Sequence, residues 1–496
     1  MDALGVAAHA RANPDKVAIV ADDRRVAYAE LDARANRLAR ALAARGIGEG
    51  DRIALAFRNR VEAFEVLTAT ARVRAEVVPV SWHCSPEEFA YYVDDSRAAI
   101  VFAEQDHRPA TAGMPAIYLD EYEDLLDDLP STPPEDAPEP APTLLRYYTS
   151  GTTGRPKAVE RPPRRADDYL DSVVASCDRL AVGGDAQVHL MVGPVYHSGP
   201  LSYAVYSLLL GQTLVLPARF DPAAALELIE RERVTWTFMV PIHFIRMLAL
   251  PDAQKRRDLS SVGRVLHAGA PCPPEVKRAM IEWFPPGTIW EFYGSTEGRG
   301  TLISPEEWLR KPGSVGRPIE GVTVRVLDVT GREVPPGEVG LVYMTPVGDE
   351  RFTYAGAPEK TEQAWRNDVF TVGDMGFLDN DGYLFLTDRK IDMIISGGAN
   401  VYPAEVEAVL HGHHAVADCA VIGVPDDEWG ERVHAIVELR AGVEPADLIG
   451  FCRDHLAHYK CPRTVDVVDV LPRDPNGKVR KTELRAPFWA GRARAI

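Results

Sequence analysis

Cysteine is scarce in this chain of 496 residues and forms no C-x-x-C pair, which excludes a disulfide-stapled scaffold and the common zinc-ribbon motifs. The six cysteines are Cys84, Cys177, Cys272, Cys419, Cys452 and Cys461. Cys452, His455, His458 and Cys461 recur every three residues. On the helix predicted over 445–458, however, the first and the last point to opposite sides and cannot share one zinc ion. All six are therefore expected to be reduced thiols of a cytosolic protein.

Long apolar runs are also missing, because no stretch of about 18 apolar residues is uninterrupted. The N-terminus, Met1-Asp2-Ala3-Leu4, lacks the basic segment and the apolar stretch of a secretory signal. The sequence therefore predicts a cytoplasmic protein that is neither exported nor membrane-spanning and has no membrane partner.

Positive charge is in short supply, since 55 Lys and Arg residues face 73 Asp and Glu residues and give a net charge of −18. Such a field repels nucleic-acid phosphates and anionic membranes, so no nucleic-acid partner is expected. A small anionic ligand such as a nucleotide is compatible with it, because a few local donors can hold it. With 46% hydrophobic and 26% charged residues, the composition is that of an ordinary globular protein. The length predicts roughly two to five structural units.

The N-terminal part, to about Ala110, alternates short apolar runs with amphipathic segments, a pattern typical of βα units that feed a parallel sheet. Residues 28–44 are predicted as a helix with Leu31, Leu38 and Leu42 on one face. Strands are predicted at 53–57, 77–80 and 98–103. The stretch 129–143 contains six prolines and is expected to be an extended, solvated connector.

Strands and helical segments continue to about Thr387, with strands predicted at 187–192, 213–216, 235–240 and 264–267. Within this part, 313–342 shows short alternating strands and Gly-Pro punctuation, which predicts a small β subdomain. The last block, from residue 391, is predicted as a compact α+β domain. Its helices are expected at 403–410 and 445–458, and its strands at 418–424 and 434–439.

Residues 147–157 read Tyr-Tyr-Thr-Ser-Gly-Thr-Thr-Gly-Arg-Pro-Lys and combine hydroxyls, two glycines and a lysine. Such a loop can wrap phosphate oxygens with backbone N–H groups and side chains, because glycine allows a close backbone approach. It is not a Walker A loop, since the GxxxxGK[ST] spacing is absent. The alternative is a plain Ser/Thr/Gly surface turn, but the lysine and the strand-like residues 144–148 favour phosphate binding.

Further motifs follow this loop along the chain. They are Pro194-Val195-Tyr196-His197, His267-Ala268-Gly269-Ala270-Pro271, Tyr293-Gly294-Ser295-Thr296-Glu297, Thr371-Val372-Gly373-Asp374, Thr387-Asp388-Arg389-Lys390, Ser396-Gly397-Gly398-Ala399-Asn400-Val401-Tyr402-Pro403 and Pro475-Asn476-Gly477-Lys478. This ordered set resembles the adenylate-forming enzymes, which include acyl- and aryl-CoA synthetases and peptide-synthetase adenylation domains. The resemblance covers nearly the whole chain. It implies an α/β fold with a large N-terminal domain of stacked doubly wound sheets and a small β subdomain (1–387), a hinge (388–390) and a mobile α+β C-terminal domain (391–496).

The resemblance also implies residues for ATP and Mg²⁺. ATP and a carboxylate repel one another, so an enzyme that joins them must neutralise phosphate charge. Asp374 would accept hydrogen bonds from the ribose hydroxyls, and Arg389 would contact ribose or phosphate. Glu297, with Thr149 or Thr296, would bind Mg²⁺. The full set expected to contact the nucleotide is Thr149, Ser150, Gly151, Thr152, Thr153, Gly154, Lys157, Gly269, Ala270, Pro271, Glu291, Phe292, Tyr293, Gly294, Ser295, Thr296, Asp374, Arg389 and Lys478.

Lys478 and His197 are the residues to which the resemblance assigns catalytic work. Lys478 would bridge the carboxylate and the α-phosphate during adenylation, a task suited to a compact, flexible point charge. His197 would position the substrate where the acyl and phosphate sites meet. The alternatives are an exposed lysine in a Pro-Asn-Gly turn and a packed core histidine. The surrounding motifs favour the catalytic interpretation of both.

Asp388 occupies the position of the family's hinge, and the resemblance implies that the small domain rotates between two half-reactions. Lys390, Ser396, Gly397 and Gly398 would then line the path of the CoA pantetheine arm, because glycine leaves room for a thiol beside the backbone. A plain Ser-Gly-Gly turn that opens the next helix is the alternative. No compact cluster of arginines marks a site for the CoA 3′-phosphate.

The motifs also assign a pocket for the acid, whose residues are His197, Ser198, Ser202, Val240, Pro241, His243, Phe244, Gly269, Gly294, Gly300 and Thr301. The glycines, the aromatic Phe244 and the polar His243 and Arg299 suit a flat aromatic or cinnamate-like acid at least as well as a long alkyl chain. The alternative is that His243 and Phe244 begin a helix at 243–250 and pack in the core.

The resemblance therefore implies an AMP-forming ligase that uses ATP and Mg²⁺ to activate a small carboxylic acid as acyl-AMP and transfers the acyl group to CoA. Two alternatives change the acceptor or the acid: loading of a carrier protein, or activation of nitrite for diazotisation of an arylamine in natural-product biosynthesis. A non-catalytic nucleotide-binding scaffold is disfavoured because Lys157, Glu297, Asp374, Arg389 and Lys478 are intact. The oligomeric state is left open, a homodimer being one option.

Overall fold

The computed structural model describes residues 4–22, 24–111, 113–135, 137, 142–149, 156–162, 165–348, 351–389, 391–474 and 478–490. Some predicted site residues lie outside this part of the chain: Ser150, Gly151, Thr152, Thr153, Gly154 and Lys390. Residue contacts divide the chain into two compact units. Unit 1 comprises Met1–Met239, Ala249–Leu266 and Arg351–Pro358, and unit 2 comprises Val240–Leu248, His267–Glu350 and Glu359–Ile496.

A five-stranded parallel sheet forms the N-terminal part of unit 1, as the βα pattern predicted. Its strands are β3 (Arg52–Ala56), β4 (Glu76–Pro79), β5 (Ile100–Ala103), β6 (Ala116–Tyr118) and β7 (Leu144–Leu145), in the order β6-β5-β3-β4-β7. Alternate residues of β3 enter different cores, since Ile53 packs in one cluster of buried apolar residues and Ala54 in another. The sheet is therefore covered on both faces, which explains its continuous apolar strands.

A second set of strands in unit 1 has the order β2-β1-β11-β10-β12, and only β2 is antiparallel to its neighbour. These strands are β1 (Val17–Ala21), β2 (Arg24–Ala27), β10 (Val188–Met191), β11 (Thr213–Val215) and β12 (Trp236–Met239). A small antiparallel sheet has the order β19-β9-β8, with β8 (Tyr148–Thr149), β9 (Lys157–Glu160) and β19 (Thr353–Tyr354). Strand β13 (Arg264–His267) ends at the residue that begins the second segment of unit 2.

Helices connect these strands. In unit 1 they are α1 (Val6–Ala12), α2 (Tyr28–Ala44), α3 (Val61–Arg72), α4 (Pro86–Ser96), α5 (Tyr122–Leu126), α6 (Ala166–Arg179), α7 (Ser198–Leu209), α8 (Pro222–Arg231) and α10 (Asp252–Lys255). The predicted helix at 28–44 is confirmed, and Leu31, Leu38 and Leu42 on its apolar face are fully buried. None of the described helices has the length and apolar character that a bilayer crossing requires.

Unit 2 contains the predicted small β subdomain, an antiparallel set with the order β14-β15-β16-β23-β22-β18-β21-β20 and with β17 paired to β18. The strands are β14 (Ile289–Gly294), β15 (Arg299–Ile303), β16 (Ser314–Pro318), β17 (Val324–Leu327), β18 (Gly340–Met344), β20 (Trp365–Arg366), β21 (Val369–Phe370), β22 (Asp374–Leu378) and β23 (Leu384–Arg389). Its helices are α9 (Pro241–Leu248), α11 (Pro274–Trp283), α12 (Pro305–Arg310) and α13 (Pro358–Ala364).

The last block is the α+β structure that the sequence predicted. Strands β24 (Ile394–Ser396), β25 (Ala399–Val401), β26 (Val416–Asp426), β27 (Gly430–Leu439) and β28 (Thr464–Val467) form one sheet, and α14 (Pro403–His411), α15 (Pro445–His455) and α16 (Lys481–Trp489) accompany it. Strands β26 and β27 are longer than the strands predicted at 418–424 and 434–439, because the prediction assigned residues 425–433 to the loop between them. The α/β fold class is confirmed; the hinge and the mobility of the C-terminal domain stay predictions.

Two predicted helices differ from the structure. The helix expected over 445–458 ends at His455, because Leu456 adopts an extended conformation, and a short 3-10 turn, His458–Lys460, follows. The helical argument against a zinc site therefore fails for Cys461, yet the described residues contain no group of three or more His, Cys, Asp or Glu side chains suited to a metal ion. The helix expected at 243–250 begins earlier, at Pro241, and ends at Leu248. All six cysteines are free thiols, as predicted.

The proline-rich connector has neither helix nor strand in its described residues, but it is attached to α2. The Asn36 amide donates to the Ser131 carbonyl at 2.7 Å, and Arg40 donates to the Thr132 and Pro133 carbonyls at 2.8 Å. The expectation of a purely solvated connector was therefore incomplete, because the carbonyls of an extended segment are free to accept hydrogen bonds from a neighbouring helix.

Candidate active site

Three residues predicted to contact the nucleotide meet in unit 2. The Tyr293 hydroxyl donates to Asp374 Oδ2 at 2.7 Å, and Arg389 Nε lies 3.3 Å from Asp374 Oδ1. Strand pairing explains the meeting, because Asp374 at the start of β22 is the register partner of Arg389 at the end of β23. Burial, and then the charge of Asp374, raise the pKa of Tyr293 well above its ordinary value, so the hydroxyl stays a donor.

Lys478 lies within electrostatic range of the same group of charges. Burial, and then the positive charge of Arg389, lower the pKa of Lys478, whereas Asp374 acts in the opposite direction. Two hydrogen bonds join Lys478 to Asp474, since the Lys478 N–H donates to Asp474 Oδ1 at 2.9 Å and the Asp474 N–H donates to the Lys478 carbonyl at 2.7 Å. The structure therefore places the predicted catalytic lysine within electrostatic range of Asp374 and Arg389.

Glu291, also predicted to contact the nucleotide, has its carboxylate engaged in a buried ion pair. Lys277 of α11 donates to it, and both side chains are almost fully buried. His267 Nε2 lies 3.7 Å from Glu291 Oε2, and within the described residues neither nitrogen of this buried ring has a hydrogen-bond partner. Burial, and then Lys277, lower the pKa of His267 well below its ordinary value, so the ring is neutral. A nucleotide contact through the Glu291 carboxylate would compete with Lys277.

The predicted adenine segment, Gly269-Ala270-Pro271, follows β13 in a turn that needs glycine. Gly269 has a φ of 87°, which a residue with a side chain rarely adopts, and a Cβ there would lie 3.4 Å from Val240 Cγ1. His243 Nδ1 accepts from the Val240 N–H at 3.3 Å, and burial lowers the pKa of His243 to about 3. Phe244 is fully buried with its ring centroid 5.1 Å from that of His267. This packing agrees with the alternative that Phe244 belongs to the core.

The hairpin between β14 and β15 carries further predicted residues and has little free space. The Ser295 N–H donates to the Gly298 carbonyl at 2.8 Å, and the Glu297 N–H donates to Ser295 Oγ at 3.2 Å. A Cβ at Gly300 would lie 2.6 Å from Met344 Sδ, and one at Gly294 would lie 3.0 Å from the Gly298 carbonyl oxygen. A side chain would therefore clash at Gly300 and be crowded at Gly294. Thr301 lies at the base of the same hairpin, where its hydroxyl donates to the Val315 carbonyl.

In unit 1 the predicted phosphate loop is bounded by a short hairpin. Thr149 of β8 is the register partner of Lys157, the first residue of β9, so the two ends of the loop lie side by side. The Tyr91 hydroxyl of α4 donates to the Pro156 carbonyl at 2.7 Å and fixes the end that carries Lys157. The residues between, 150–155, lie outside the described part of the chain.

The predicted acid-binding residues of unit 1 lie at the start of α7. His197 is the residue before the helix, Ser198 is its first residue, and Ser202 Oγ lies 2.9 Å from the Tyr147 hydroxyl. A Cβ at Gly199 would lie 2.9 Å from the Phe238 ring, so the first turn rests directly on that ring. The residues named by the sequence for the acid therefore fall into two groups, one in each unit.

Residues 6–346 match the family described as AMP-binding enzyme, and residues 405–478 match the AMP-binding enzyme C-terminal domain. The chain belongs to the AMP-binding enzymes. The resemblance drawn from the motifs is thereby confirmed, and the protein is an AMP-forming ligase, as predicted.

Relatives of this AMP-binding enzyme match it over nearly their whole length. A fatty acid–[acyl-carrier-protein] ligase, ScoC, of Streptomyces coeruleorubidus is 33% identical, over 98% of this chain and 96% of that protein. A feruloyl-CoA synthase of an Amycolatopsis species is 34% identical, with 97% of each chain covered. The structure of o-succinylbenzoate CoA synthetase from Bacillus subtilis, with its acyl-adenylate OSB-AMP, superposes with a TM-score of 0.85 at 30% identity and 97% coverage of each chain.

The hinge predicted for this AMP-binding enzyme, Asp388, is a well-fixed residue of β23. Its carboxylate accepts from the Arg389 N–H at 2.7 Å and from the Ala404 N–H, in the first turn of α14, at 3.0 Å. Burial raises the pKa of Asp388 to about 6, although Lys481 opposes this effect. Lys481 Nζ in turn lies 2.8 Å from Glu407 Oε1 on α14. Sequence reasoning missed Lys481, because no short-range pattern links 481 to 388 and 407.

The glycines predicted to line the CoA path of this AMP-binding enzyme differ in their surroundings. Gly397 has a φ of 59°, its N–H donates to the Trp429 carbonyl at 2.8 Å, and a Cβ would lie 2.3 Å from the Trp429 ring. Gly398 has a φ of 79°, and a Cβ there would meet nothing within 4 Å. Ser396 before them is buried. Only Gly397 is therefore needed for local packing as well as for its backbone conformation.

Proposed function

We propose that this AMP-binding enzyme joins a carboxylic acid to ATP as acyl-AMP with release of pyrophosphate, and then transfers the acyl group to CoA. The observation that carries the proposal is the group of Tyr293, Asp374, Arg389 and Lys478 in unit 2. It combines a carboxylate able to accept from sugar hydroxyls with one cation beside it, Arg389, and a second, Lys478, within electrostatic range. Adenylation needs both, because an anion must approach an anion.

In this proposal Asp374 accepts from the ribose hydroxyls, and Tyr293 holds its carboxylate and stacks on the adenine beside Gly269-Ala270-Pro271. Arg389 contacts ribose or α-phosphate. Lys478 lies between the attacking carboxylate and the α-phosphorus, where its charge stabilises the transition state. The ammonium suits this position because its partial burial keeps water away and strengthens each interaction with phosphate.

The β- and γ-phosphates are assigned to the loop between Thr149 and Lys157, whose glycines allow close backbone approach. Mg²⁺ is assigned to Glu297, with Thr149 or Thr296. A single carboxylate fits this ion, which keeps most of its shell for water and phosphate oxygens, and no larger cluster of acids is found among the described residues. When bound, the ion neutralises phosphate charge.

The acid is proposed to be aromatic or cinnamate-like. Relatives named for feruloyl-CoA and o-succinylbenzoyl-CoA synthesis support an aromatic acid. The residues assigned to it in unit 1 are His197, Ser198 and Ser202, and those in unit 2 are Val240, His243, Gly269, Gly294, Gly300 and Thr301. Phe244 contributes through the core rather than by direct contact, because its ring is fully buried.

CoA is the proposed acceptor, reached when the 391–496 region rotates about Asp388 and presents Lys390, Ser396, Gly397 and Gly398 to the adenylate. A second candidate is a carrier-protein thiol, supported by the relative named as an acyl-carrier-protein ligase. Both acceptors carry the same pantetheine arm, so the chemistry of the thiol attack would be the same.

The test is acid-dependent exchange of pyrophosphate into ATP over a panel of aryl, cinnamoyl and alkyl acids, with product analysis after addition of CoA or of a phosphopantetheinylated carrier protein. We expect exchange with aryl acids and a thioester only when thiol is present. Absence of exchange with every acid would remove the proposal, whereas a thioester formed only on the carrier protein would replace CoA by the second candidate.

A further inference from the structure

The segment that leads to His197 lies where parallel strands of unit 1 end. Gly193 to His197 follow β10, Asn59 follows β3, Glu104 follows β5, and Pro217 follows β11. In parallel α/β sheets, ligands bind beyond the carboxyl ends of the strands, because the connecting loops meet there. The position of this segment therefore matters for any residue in it that contacts a substrate.

One buried side chain holds this segment. Asn59 Nδ2 donates to the Gly193 carbonyl at 3.0 Å and to the Pro217 carbonyl at 3.4 Å, and its Oδ1 accepts from the Val195 N–H at 2.9 Å. Asn59 is only 7% exposed, so water does not replace these bonds easily. A single amide thus joins the strand ends of β3, β10 and β11, and two of its three bonds go to the residues just before His197.

Asn59 is itself fixed on both sides by a buried carboxylate. Glu104 accepts from the Arg58 N–H at 3.1 Å and from Arg60 Nη1 through both of its oxygens, each at 3.1 Å. Residues 58–60 are therefore anchored to the end of β5, and the Asn59 amide has little freedom to follow a displaced loop.

Residues 193–197, which Asn59 holds just before α7, are tightly packed. A Cβ at Gly193 would lie 2.3 Å from Pro200 Cγ, and the Tyr196 ring meets the Trp82 ring edge-on at a centroid distance of 6.1 Å. Because the backbone is packed this tightly, a change in the bonds at 193 and 195 is carried to His197 instead of being absorbed in between.

We propose that Asn59 is a positioning residue for the adenylation reaction: through Gly193 and Val195 it sets the place of His197 against the carboxylic acid. The proposal rests on the role assigned to His197 in the proposed function. Asn59 does not touch the substrate itself. Its part is to hold a loop within the few tenths of an ångström that the reaction requires.

Asn59→Asp is the sharpest variant, because it keeps the shape and the acceptor for Val195 but turns an oxygen toward the carbonyls of Gly193 and Pro217. We expect a fall in kcat/KM for the acid of about tenfold to hundredfold in the exchange assay, with the KM for ATP changed less than about twofold. The matched control is Asn36→Asp, since Asn36 is also a buried asparagine of unit 1 but its amide bonds to the proline-rich connector and to Asp32. Asn59→Ala, which adds no charge, is measured in parallel, and circular dichroism checks that each variant is folded.

A double-mutant cycle with His197→Ala decides between positioning and a general structural role. If Asn59 acts through His197, the double variant is no slower than His197→Ala alone. Losses that multiply, a KM for ATP that rises as much as that for the acid, or wild-type rates in both Asn59 variants would each overturn the inference. Wild-type enzyme without any acid-dependent exchange would instead overturn the proposed function on which it rests.

Discussion

Replacing Lys478 by alanine should separate the two half-reactions. The partly buried ammonium lies within electrostatic range of Arg389 and Asp374: burial and Arg389 lower its pKa, whereas Asp374 raises it. Two unit charges about 4 Å apart at an effective dielectric constant of about 20 interact by about 4 kcal/mol. Removing the cation from the adenylation transition state should therefore slow that step about 10³-fold.

The rate of thioester formation from a chemically prepared acyl-AMP should fall much less, about threefold or less, because the step in which Lys478 neutralises phosphate charge is then already complete. The first step is measured by exchange of pyrophosphate into ATP, and the second by CoA thioester formation from added acyl-AMP. Lys311→Ala is the matched control, since Lys311 is also a lysine of unit 2 but pairs with Asp379 and Asp381. Equal losses in both steps, or a loss in the control as large as in the variant, would show that Lys478 has been given the wrong role.

Further predictions concern buried groups of unit 2. Lys277→Ala should lower the free energy of unfolding by about 3–5 kcal/mol, because it leaves the Glu291 carboxylate buried without its partner. The loss should appear as a lower melting temperature, and an unchanged melting temperature would contradict the buried pair. The double variant Glu291→Gln with Lys277→Met should recover most of the loss. The pKa of Asp388 is raised to about 6, so the folded state binds its proton more tightly than the unfolded state. The free energy of unfolding should therefore fall as pH rises from about 4 to about 6, by about 3 kcal/mol from this group. Measured by urea unfolding, this pH dependence should be flatter in Asp388→Asn. An identical pH dependence in wild type and variant would refute the raised pKa of Asp388. Gly397→Ala should impair thioester formation more than adenylation, and it should also lower the melting temperature. Gly398→Ala should lower the melting temperature less, because Gly398 has a similar backbone conformation but no atom near its would-be Cβ. Comparable melting temperatures for the two variants would contradict the contact inferred between Gly397 and Trp429.

Periodicity in the sequence predicted the elements that carry the site. The helix at 28–44 is recovered residue by residue, and the strand predicted at 264–267 is β13. These elements are buried on defined faces, so their apolar spacing is imposed by the core and can be read without the fold. The end of α15 was missed, because Leu456 leaves the helix although its residue type continues the pattern.

The predicted site residues were accessible to sequence reasoning only through motifs. Tyr293 and Lys478 lie far along the chain from Asp374 and Arg389, which pair in neighbouring strands, and the ordered motifs alone indicated all four residues. The supporting residues could not be found that way. Lys277 and Asn59 lie outside every motif, and each works through contacts at a sequence distance that composition and periodicity do not report. Side chains that hold a site in place are therefore revealed by the fold alone.

Strand β23 carries two neighbours with opposite tasks. Arg389 is directed at Asp374 and the predicted ribose site, whereas the carboxylate of Asp388 caps the first turn of α14. Successive side chains of a strand point to opposite faces, so the separation follows from the strand geometry. In the proposed function, Arg389 contacts the nucleotide one residue after the predicted hinge, so a rotation at Asp388 would also move the Arg389 side chain.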